Sequence, residues 1–170
     1  KWAGFNSSSF TVSNGVRQGG VLSPKLFNVV VDDLSKELNQ CYAGCHFNGQ
    51  SQNHLFYADD SVLLAPSPDA LQHLVNICQN YALEHGMRYN VKKTVCMCVK
   101  PKVRKDISVP QITLNGKCLK WKHEHTYLGV LLQDNSTDAN DINRQVRCLY
   151  TQGNLLLRKF KTCSDDVKCL

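Results

Sequence analysis

The stretch Leu55-Phe56-Tyr57-Ala58-Asp59-Asp60-Ser61-Val62-Leu63-Leu64-Ala65 sets two adjacent carboxylates inside an apolar run. Its flanks read as short strands buried on both faces, because neither alternates polar with apolar residues. A buried strand has no use for two ionised aspartates, since unpaired charge is costly away from water. The pattern therefore predicts a hairpin with Asp59-Asp60 at its tip, the carboxylates reaching a cleft floor while the strands stay in the core. Adjacent carboxylates repel each other, so the tip calls for a cation. Asp is also a common residue of ordinary turns. A short hairpin turn, however, more normally uses Asn-Gly or Asp-Gly.

A chain of 170 residues fits one domain, or one and part of a second, and a hydrophobic content of 42% supports a core. The net charge of +6 suits an anionic partner without demanding one. No run of about 18 apolar residues is present, so no membrane span or membrane partner is expected. The sequence begins at Lys1 with no signal-peptide pattern, and the expectation is a piece of a longer chain. It has nine cysteines: Cys41, Cys45, Cys78, Cys96, Cys98, Cys118, Cys148, Cys163 and Cys169. Several lie in apolar periodic segments, where Cys acts as a small hydrophobe. They read as reduced thiols of a nuclear or cytoplasmic protein. Neither Cys41-x3-Cys45-His46 nor Cys96-x-Cys98 matches the spacing of a paired zinc knuckle.

Residues 1–14 carry Trp2, Phe5, Phe10 and Val12 among Ser and Asn, and suggest an incoming strand and a turn ending at Asn14-Gly15. Gly15 to Pro24 is a glycine-rich loop in which backbone can approach a ligand closely. Ser23-Pro24 reads as a helix start, Ser as N-cap and Pro at the first helical position. Leu26, Val30, Leu34 and Leu38, widened by Phe27 and Val31, predict a helix to about Asn39. Asp32 and Asp33 fall on its solvated side. Gly44 to Phe47 is a short strand turned by Asn48-Gly49. Ser67-Pro68 opens a second helix through Leu71, Leu74, Val75, Cys78 and Ala82, with Gly86 as its stop. Thr94–Val99 reads as a strand within a basic stretch of Arg88, Lys92, Lys93, Lys100, Lys102, Arg104 and Lys105. Two strands surround Asn115-Gly116, one ending in Tyr127-Leu128-Gly129-Val130-Leu131-Leu132. A polar linker, Gln133 to Thr137, precedes a long basic amphipathic helix marked by Ile142, Val146, Leu149, Leu156, Leu157 and Phe160. This order predicts an α+β fold, an antiparallel sheet covered by helices on one face.

A glycine-rich loop bearing Arg and Gln, a hairpin carrying two Asp and a basic flank together suit phosphoryl transfer on nucleotides. Two divalent cations roughly 3.5–4 Å apart activate an attacking oxygen and neutralise a leaving pyrophosphate. Carboxylates are apt hard ligands for Mg²⁺. Successive strand residues point to opposite faces, so Asp59 is the expected main ligand and Asp60 the auxiliary one.

These segments also resemble a known family. Gly15-Val16-Arg17-Gln18-Gly19-x-x-Leu22-Ser23-Pro24-x-Leu26-Phe27 is similar to the glycine–glutamine motif of reverse transcriptases in their non-LTR (LINE-type) retrotransposon form. Phe56-Tyr57-Ala58-Asp59-Asp60 resembles the catalytic Tyr-x-Asp-Asp motif. Asn90-x-x-Lys93-Thr94 resembles the motif that follows it, and Tyr127-Leu128-Gly129 the primer-grip strand. The resemblance covers about residues 12–170, with the motifs in family order.

The resemblance implies the antiparallel palm sheet of a right-hand polymerase over residues 1–132 and the start of a helical thumb over 133–170. It implies an RNA-directed DNA polymerase whose partners are an RNA template, a DNA primer and dNTPs. Asp59 and Asp60 would bind two Mg²⁺ ions, with Mn²⁺ as a substitute. Arg17, Gln18 and Gly19 would line the nucleotide and template. Tyr57 would meet the primer end, Lys93 would protonate the leaving pyrophosphate, and Tyr127 and Gly129 would hold the primer. Arg144 and Arg147 would face nucleic-acid phosphates. For Lys93, Tyr127, Arg144 and Arg147, ordinary solvation or packing explains the residue type as well. The family's earlier palm strand with its further aspartate, and its fingers, are expected before Lys1, so these residues alone are expected to be inactive without the remainder of the parent polypeptide. Two competing readings are a non-catalytic nucleic-acid-binding remnant of a retroelement and a maturase-like or telomerase-like relative.

Overall fold

The structure of the chain, a computed structural model, describes residues 4–6, 8, 9, 11, 15, 17–99 and 109–163. The expected strand within residues 1–14 rests largely on Trp2, Phe10 and Val12, which lie outside the described residues, as do Val16, Lys100, Lys102, Arg104, Lys105 and Cys169. The elements run α1 (Ser23–Gln40), β1 (Cys45–Phe47), β2 (Gln50–Gln52), β3 (His54–Tyr57), β4 (Asp60–Leu63), α2 (Pro68–Glu84), β5 (Val95–Cys96), β6 (Thr113–Leu114), β7 (Lys117–Cys118), β8 (Lys120–Trp121), β9 (Glu124–Tyr127), β10 (Val130–Gln133) and α3 (Ala139–Lys159). The chain is mixed α+β.

The single antiparallel sheet expected from the sequence is not formed among the described residues. The strands make five separate pairs, β1–β2, β3–β4, β5–β8, β6–β7 and β9–β10, and β5–β8 is parallel. Strands of two to four residues offer few ladder bonds, and an isolated pair is marginal by itself. The described residues fall into two compact units, one within Lys1–Thr94 together with Pro110–Leu119, the other within Val95–Val109 together with Lys120–Leu170.

The first unit is built on α1 and α2. The Ser67 hydroxyl accepts from the Ala70 amide as expected of an N-cap. At the other end of α2, Gly86 takes φ 65°, and the Met87 and Gly86 amides bond back to the Ala82 and Leu83 carbonyls at 2.7 and 3.2 Å. That is a Schellman closure, which needs a residue able to enter the left-handed region. Leu34 and Leu38 of α1 pack against Leu74, Cys78 and Tyr81 of α2, with Phe56 and Leu63 of the hairpin alongside. The Tyr81 hydroxyl donates to the Val30 carbonyl, tying the two helices. On α2, the Gln72 amide accepts from the Thr113 N–H at 2.7 Å and donates to the Thr113 carbonyl at 2.9 Å, acting as a strand partner for β6.

Three expectations change here. Ser23 does not cap α1. Leu22 holds the cap position without a side-chain bond, because the Ser23 hydroxyl donates instead to the Arg17 carbonyl at 2.6 Å. The four-residue stripe on α1 divides: Leu34 and Leu38 are buried, while Leu26 is 57% exposed and Val30 37%. A stripe spaced by four drifts around a helix of 3.6 residues per turn, and the partly covered early positions are Phe27 and Val31. Asp32 and Asp33 pair with Lys36 on the solvated side, as expected. Finally, the β3–β4 strands are not buried on both faces, since Leu55 is 48% exposed and Tyr57 64%. A two-stranded pair with helices on one side leaves its other side open.

A buried polar network seats this hairpin. Asn53, 1% exposed, donates through Nδ2 to the Leu38 carbonyl at 2.6 Å and the Ala43 carbonyl at 3.2 Å. Its Oδ1 therefore faces His54 Nδ1 at 2.7 Å as the acceptor, which places the imidazole proton on Nδ1. His54 Nε2 then accepts from the Ser35 hydroxyl at 2.7 Å. Asn53's own carbonyl accepts from the Leu64 amide at 2.8 Å, extending the hairpin base.

In the second unit, β9 and β10 pair from Tyr127↔Val130 to Glu124↔Gln133. The strand expected to run through Tyr127–Leu132 is therefore a hairpin. Leu128 and Gly129 turn at φ 47° and 84°, a reversal that Gly129 permits. The strand expected over Thr94–Val99 shortens to β5, beside β8, where the Lys122 amide reaches the Cys96 carbonyl at 2.8 Å. The helix α3 forms over the predicted span but buries none of its residues.

Two predictions follow from this packing. Leu38→Ala should destabilise the 170-residue chain by about 2–5 kcal/mol, and Leu26→Ala by less than about 0.5 kcal/mol, read from urea midpoints; equal costs would contradict the divided stripe. His54 is held below its ordinary value near 6.5 by burial. The folded state thus carries fewer protons than the unfolded state just below that pH, so stability is complete above it and falls as pH drops through it. The urea midpoint should decrease from above to below pH 6.5, and His54→Gln should flatten that decrease.

Candidate active site

The β3–β4 hairpin carries the two aspartates, but its tip is Ala58-Asp59. The register pairs Tyr57 with Asp60, Phe56 with Ser61, Leu55 with Val62 and His54 with Leu63. Asp60 is thus the first residue of β4 rather than part of the turn. Directly opposed residues share a face, so Tyr57 and Asp60 stand together on the open face with Leu55 and Val62. Phe56, Ser61, His54 and Leu63 take the face toward the helices. Ala58 enters the left-handed region at φ 52° to close the turn. Both aspartates are exposed, and neither carboxylate accepts a hydrogen bond or ion pair among the described residues.

Behind the tip lies a cleft of about 340 Å³. Asp59 and Ala58 form part of its wall with Phe56 and Ser61; Phe27, Val31, Tyr81 and Tyr89 complete its apolar side, and Arg88 supplies a cation. Burial, reinforced by the neighbouring Cys78, pushes the Tyr89 phenol well above its ordinary range. Burial likewise raises the Cys78 thiol to about 11. Both groups are neutral near pH 7 and serve as packing. The eight described cysteines are free thiols.

The glycine-rich loop is a turn in which the Gly20 amide bonds the Arg17 carbonyl at 3.1 Å. Gln18 and Gly19 form its exposed tip, Gly19 at φ 78°. Ser23 braces the turn from within α1, and a side chain on Gly20 would strike that Ser23 hydroxyl at 2.6 Å. Asn90-x-x-Lys93-Thr94 is also a turn. Asn90 Oδ1 accepts from the Lys92 and Lys93 amides at 3.0 and 3.4 Å, and its carbonyl accepts from the Thr94 hydroxyl at 3.0 Å. Lys93 is exposed, with no side-chain partner among the described residues.

Tyr127, Gly129, Arg144 and Arg147 belong to the second unit. Arg144 is committed within the protein: Nε and Nη2 donate to Asp141 at 3.1 and 2.6 Å, and Nη2 also reaches the Gly129 carbonyl. That differs from the solvent-facing role its residue type suggests. Arg147 is exposed. Two residues that each hold a hairpin of their own unit, Asn53 and Asp141, escaped the sequence reading. Asn53 sits one residue before an apolar strand, and Asp141 three before an arginine in a first helical turn; both patterns are common enough to pass unnoticed.

The carboxylates suit divalent cations by chemistry and availability, being hard oxygen donors without competing partners. Among the described residues, no group of three or more His, Cys, Asp or Glu gathers where it could hold a metal ion. No described helix is long and apolar enough to cross a membrane.

Residues 2–132 match the family model described as reverse transcriptase (RNA-dependent DNA polymerase). The chain is 28% identical over 177 residues to the RNA-directed DNA polymerase from mobile element jockey of Drosophila funebris, covering 97% of this chain and 18% of that protein. It is 32% identical over 133 residues to the Pol polyprotein from type-2 retrotransposable element R2DM of Drosophila melanogaster, covering 75% and 12%. It is 31% identical over 121 residues to the Pol polyprotein from type-1 retrotransposable element R2 of Popillia japonica, covering 69% and 20%. The chain thus spans a fifth or less of the length of these relatives. Its motifs and its matched span agree: the chain belongs to the reverse transcriptase family, alongside the enzymes of non-LTR retrotransposons.

Proposed function

We propose that this chain is a fragment of the catalytic domain of an RNA-directed DNA polymerase that acts within a longer polypeptide. The observation that carries the reading is the Tyr57-Ala58-Asp59-Asp60 turn. It presents two unpartnered carboxylates on a hairpin seated by Asn53 and Phe56, inside the span that matches the family. A nucleic-acid duplex cannot enter a cleft of about 340 Å³, which is small-molecule size. The open face bearing Tyr57 and Asp60, with Asp59 at the tip, is the side on which a primer–template has room.

In this reading Asp59 and Asp60 hold Mg²⁺, with Mn²⁺ as a substitute. When bound, such ions activate the primer 3′ hydroxyl and offset charge on the leaving pyrophosphate. The new bond joins the 3′ oxygen to the α-phosphorus, and the α–β phosphoanhydride breaks. The protein's own share is positioning, which accounts for much of phosphoryl-transfer catalysis. Gln18 and Gly19 present backbone and amide to the nucleotide and template, with Arg17 at the base of their turn. Tyr57 stacks near the primer end. Lys93 donates a proton to the departing pyrophosphate. Tyr127 and Gly129 hold the primer backbone, and Arg147 meets phosphate. The β3–β4 hairpin with its helices corresponds to palm, and α3 to the start of the thumb.

The test is primer extension by the longer polypeptide on an RNA template with dNTPs. Asp59→Asn should lower the rate by on the order of 10²-fold or more, the loss expected when several kcal/mol of metal stabilisation disappears. Its thermal midpoint should hold, since Asp59 has no folded-state partner to lose. Retained extension by that variant would remove the metal-ligand role. The 170-residue chain alone, with only two carboxylates at the tip, is expected to show no templated incorporation; robust extension by it would show that the described donors suffice.

A further inference from the structure

We propose that Asp141 and Arg144 form a clamp that positions the Leu128–Gly129 turn for the primer. This inference rests on the reading above that assigns Tyr127 and Gly129 to the primer.

The turn has little reason to hold its own shape. Leu128 is a bulky residue at φ 47°, in the region where a left-handed L-residue costs about 1–2 kcal/mol. A two-residue hairpin is better served by Asn-Gly. Something outside the turn must fix it, and the first turns of α3 do so. Asp141 Oδ1 accepts from the Leu131 amide at 3.0 Å, from Arg144 Nε at 3.1 Å and from Arg144 Nη2 at 2.6 Å. Arg144 Nη2 reaches on to the Gly129 carbonyl, and Gln145 Nε2 approaches the same carbonyl at 3.4 Å.

The bonds fall where the hairpin cannot satisfy itself. Tyr127 and Val130 flank the turn as a pair, so the next pair, Leu131 with Thr126, turns its amides outward from the ladder. Asp141 takes the outward Leu131 amide. Arg144 takes the Gly129 carbonyl at the turn itself. The two contacts bracket Val130, the residue paired with Tyr127, so a shift of the clamp moves the primer-facing residues together.

Hydrophobic packing does not duplicate this tie, because α3 buries none of its residues. Arg144 also holds the Asp141 carboxyl below the usual carboxylate range, with the Leu131 amide adding to the effect. The carboxylate is charged throughout the working range of a polymerase and stays an acceptor.

The experiment uses the longer polypeptide and compares Asp141→Asn, Arg144→Ala and the double variant. Primer KM, dNTP KM and hydrogen exchange of a peptide spanning residues 128–133 are read together. A clamp predicts that each single variant raises primer KM by roughly 10-fold, on the scale of a charged hydrogen bond. The double variant should add little, because the two side chains act as one unit. The dNTP KM should stay within about 2-fold, and the 128–133 amides should exchange faster.

The contrary assignment, Arg144 as a direct phosphate contact, gives a different pattern. Asp141→Asn would then leave primer KM unchanged, and Arg144→Ala alone would reduce the salt slope of nucleic-acid binding by about one. That pattern overturns the clamp, as does unchanged exchange at 128–133 in all variants. A wild-type polypeptide that extends no primer would overturn the polymerase reading instead, while the exchange measurement would still decide whether the clamp exists.

Discussion

The first unit hangs on one buried amide. Asn53 donates to the carbonyls of Leu38 and Ala43 and accepts from His54. The Leu38 carbonyl belongs to the last turn of α1 and accepts from the Cys41 amide at 3.1 Å as well as from Asn53. Ala43 lies in the loop that leaves the helix. Leaving the Asn53 amide unpaired in the interior costs about 1–3 kcal/mol, so the helix end, the loop and the root of β3 are fixed by the same side chain. Gly44 sharpens the constraint: a side chain there would strike Asn53 Cβ. From this anchor, β3 has its register, Phe56 meets the core, and the Ala58–Asp59 turn falls where it does.

Holding the hairpin at its root leaves its tip free for chemistry. Asp59 and Asp60 are adjacent and unpartnered, an arrangement that repulsion makes unfavourable wherever water cannot screen it. Exposure makes it tolerable, and the alternation of β4 divides the pair: Asp60 goes to the open face beside Tyr57, and Asp59 stays at the turn. A fold built for stability alone gains nothing from this. The proposed gathering of cations would gain a concentrated negative potential there, while the cationic Arg17–Gly20 turn and Lys93 turn are built separately, each by its own local hydrogen bonds.

Much of this was legible in the sequence because the signals were local. Ser67-Pro68 and Gly86 bound α2, Asn48-Gly49 and Asn115-Gly116 turn hairpins, and the apolar flanks of Asp59-Asp60 pair as a hairpin. Each rests on a few neighbouring residues with a strong backbone preference. The misreadings came where tertiary context decided. Ser23 has the residue type of an N-cap, yet the carbonyl of Arg17 competes for its hydroxyl. Leu26 and Leu34 look alike in a periodic stripe, and only the location of α2 separates them. Tyr127–Leu132 reads as one strand, because Leu128 gives no warning that it will enter the left-handed region. Asn53 and Asp141 act through partners 10 to 15 residues away, a separation no local pattern encodes.

The turns themselves differ in how far they follow local preference. Four two-residue reversals are described. Those at Asn48-Gly49 and Asn115-Gly116 use the residues that a hairpin favours, both at positive φ. The other two, Ala58-Asp59 and Leu128-Gly129, put a non-glycine apolar residue at positive φ, at a cost of about 1–2 kcal/mol each. These are the turns that the proposed function gives to the cations and to the primer. Local rules are expected to break where the surrounding structure over-determines a conformation that chemistry requires. The over-determination is visible in both cases, through Asn53 and Phe56 below the first and through Asp141 and Arg144 beside the second. A turn that folds by its own preference needs no such support. A turn that must place particular side chains cannot choose its residues for ease of turning, and its geometry is supplied by neighbours instead.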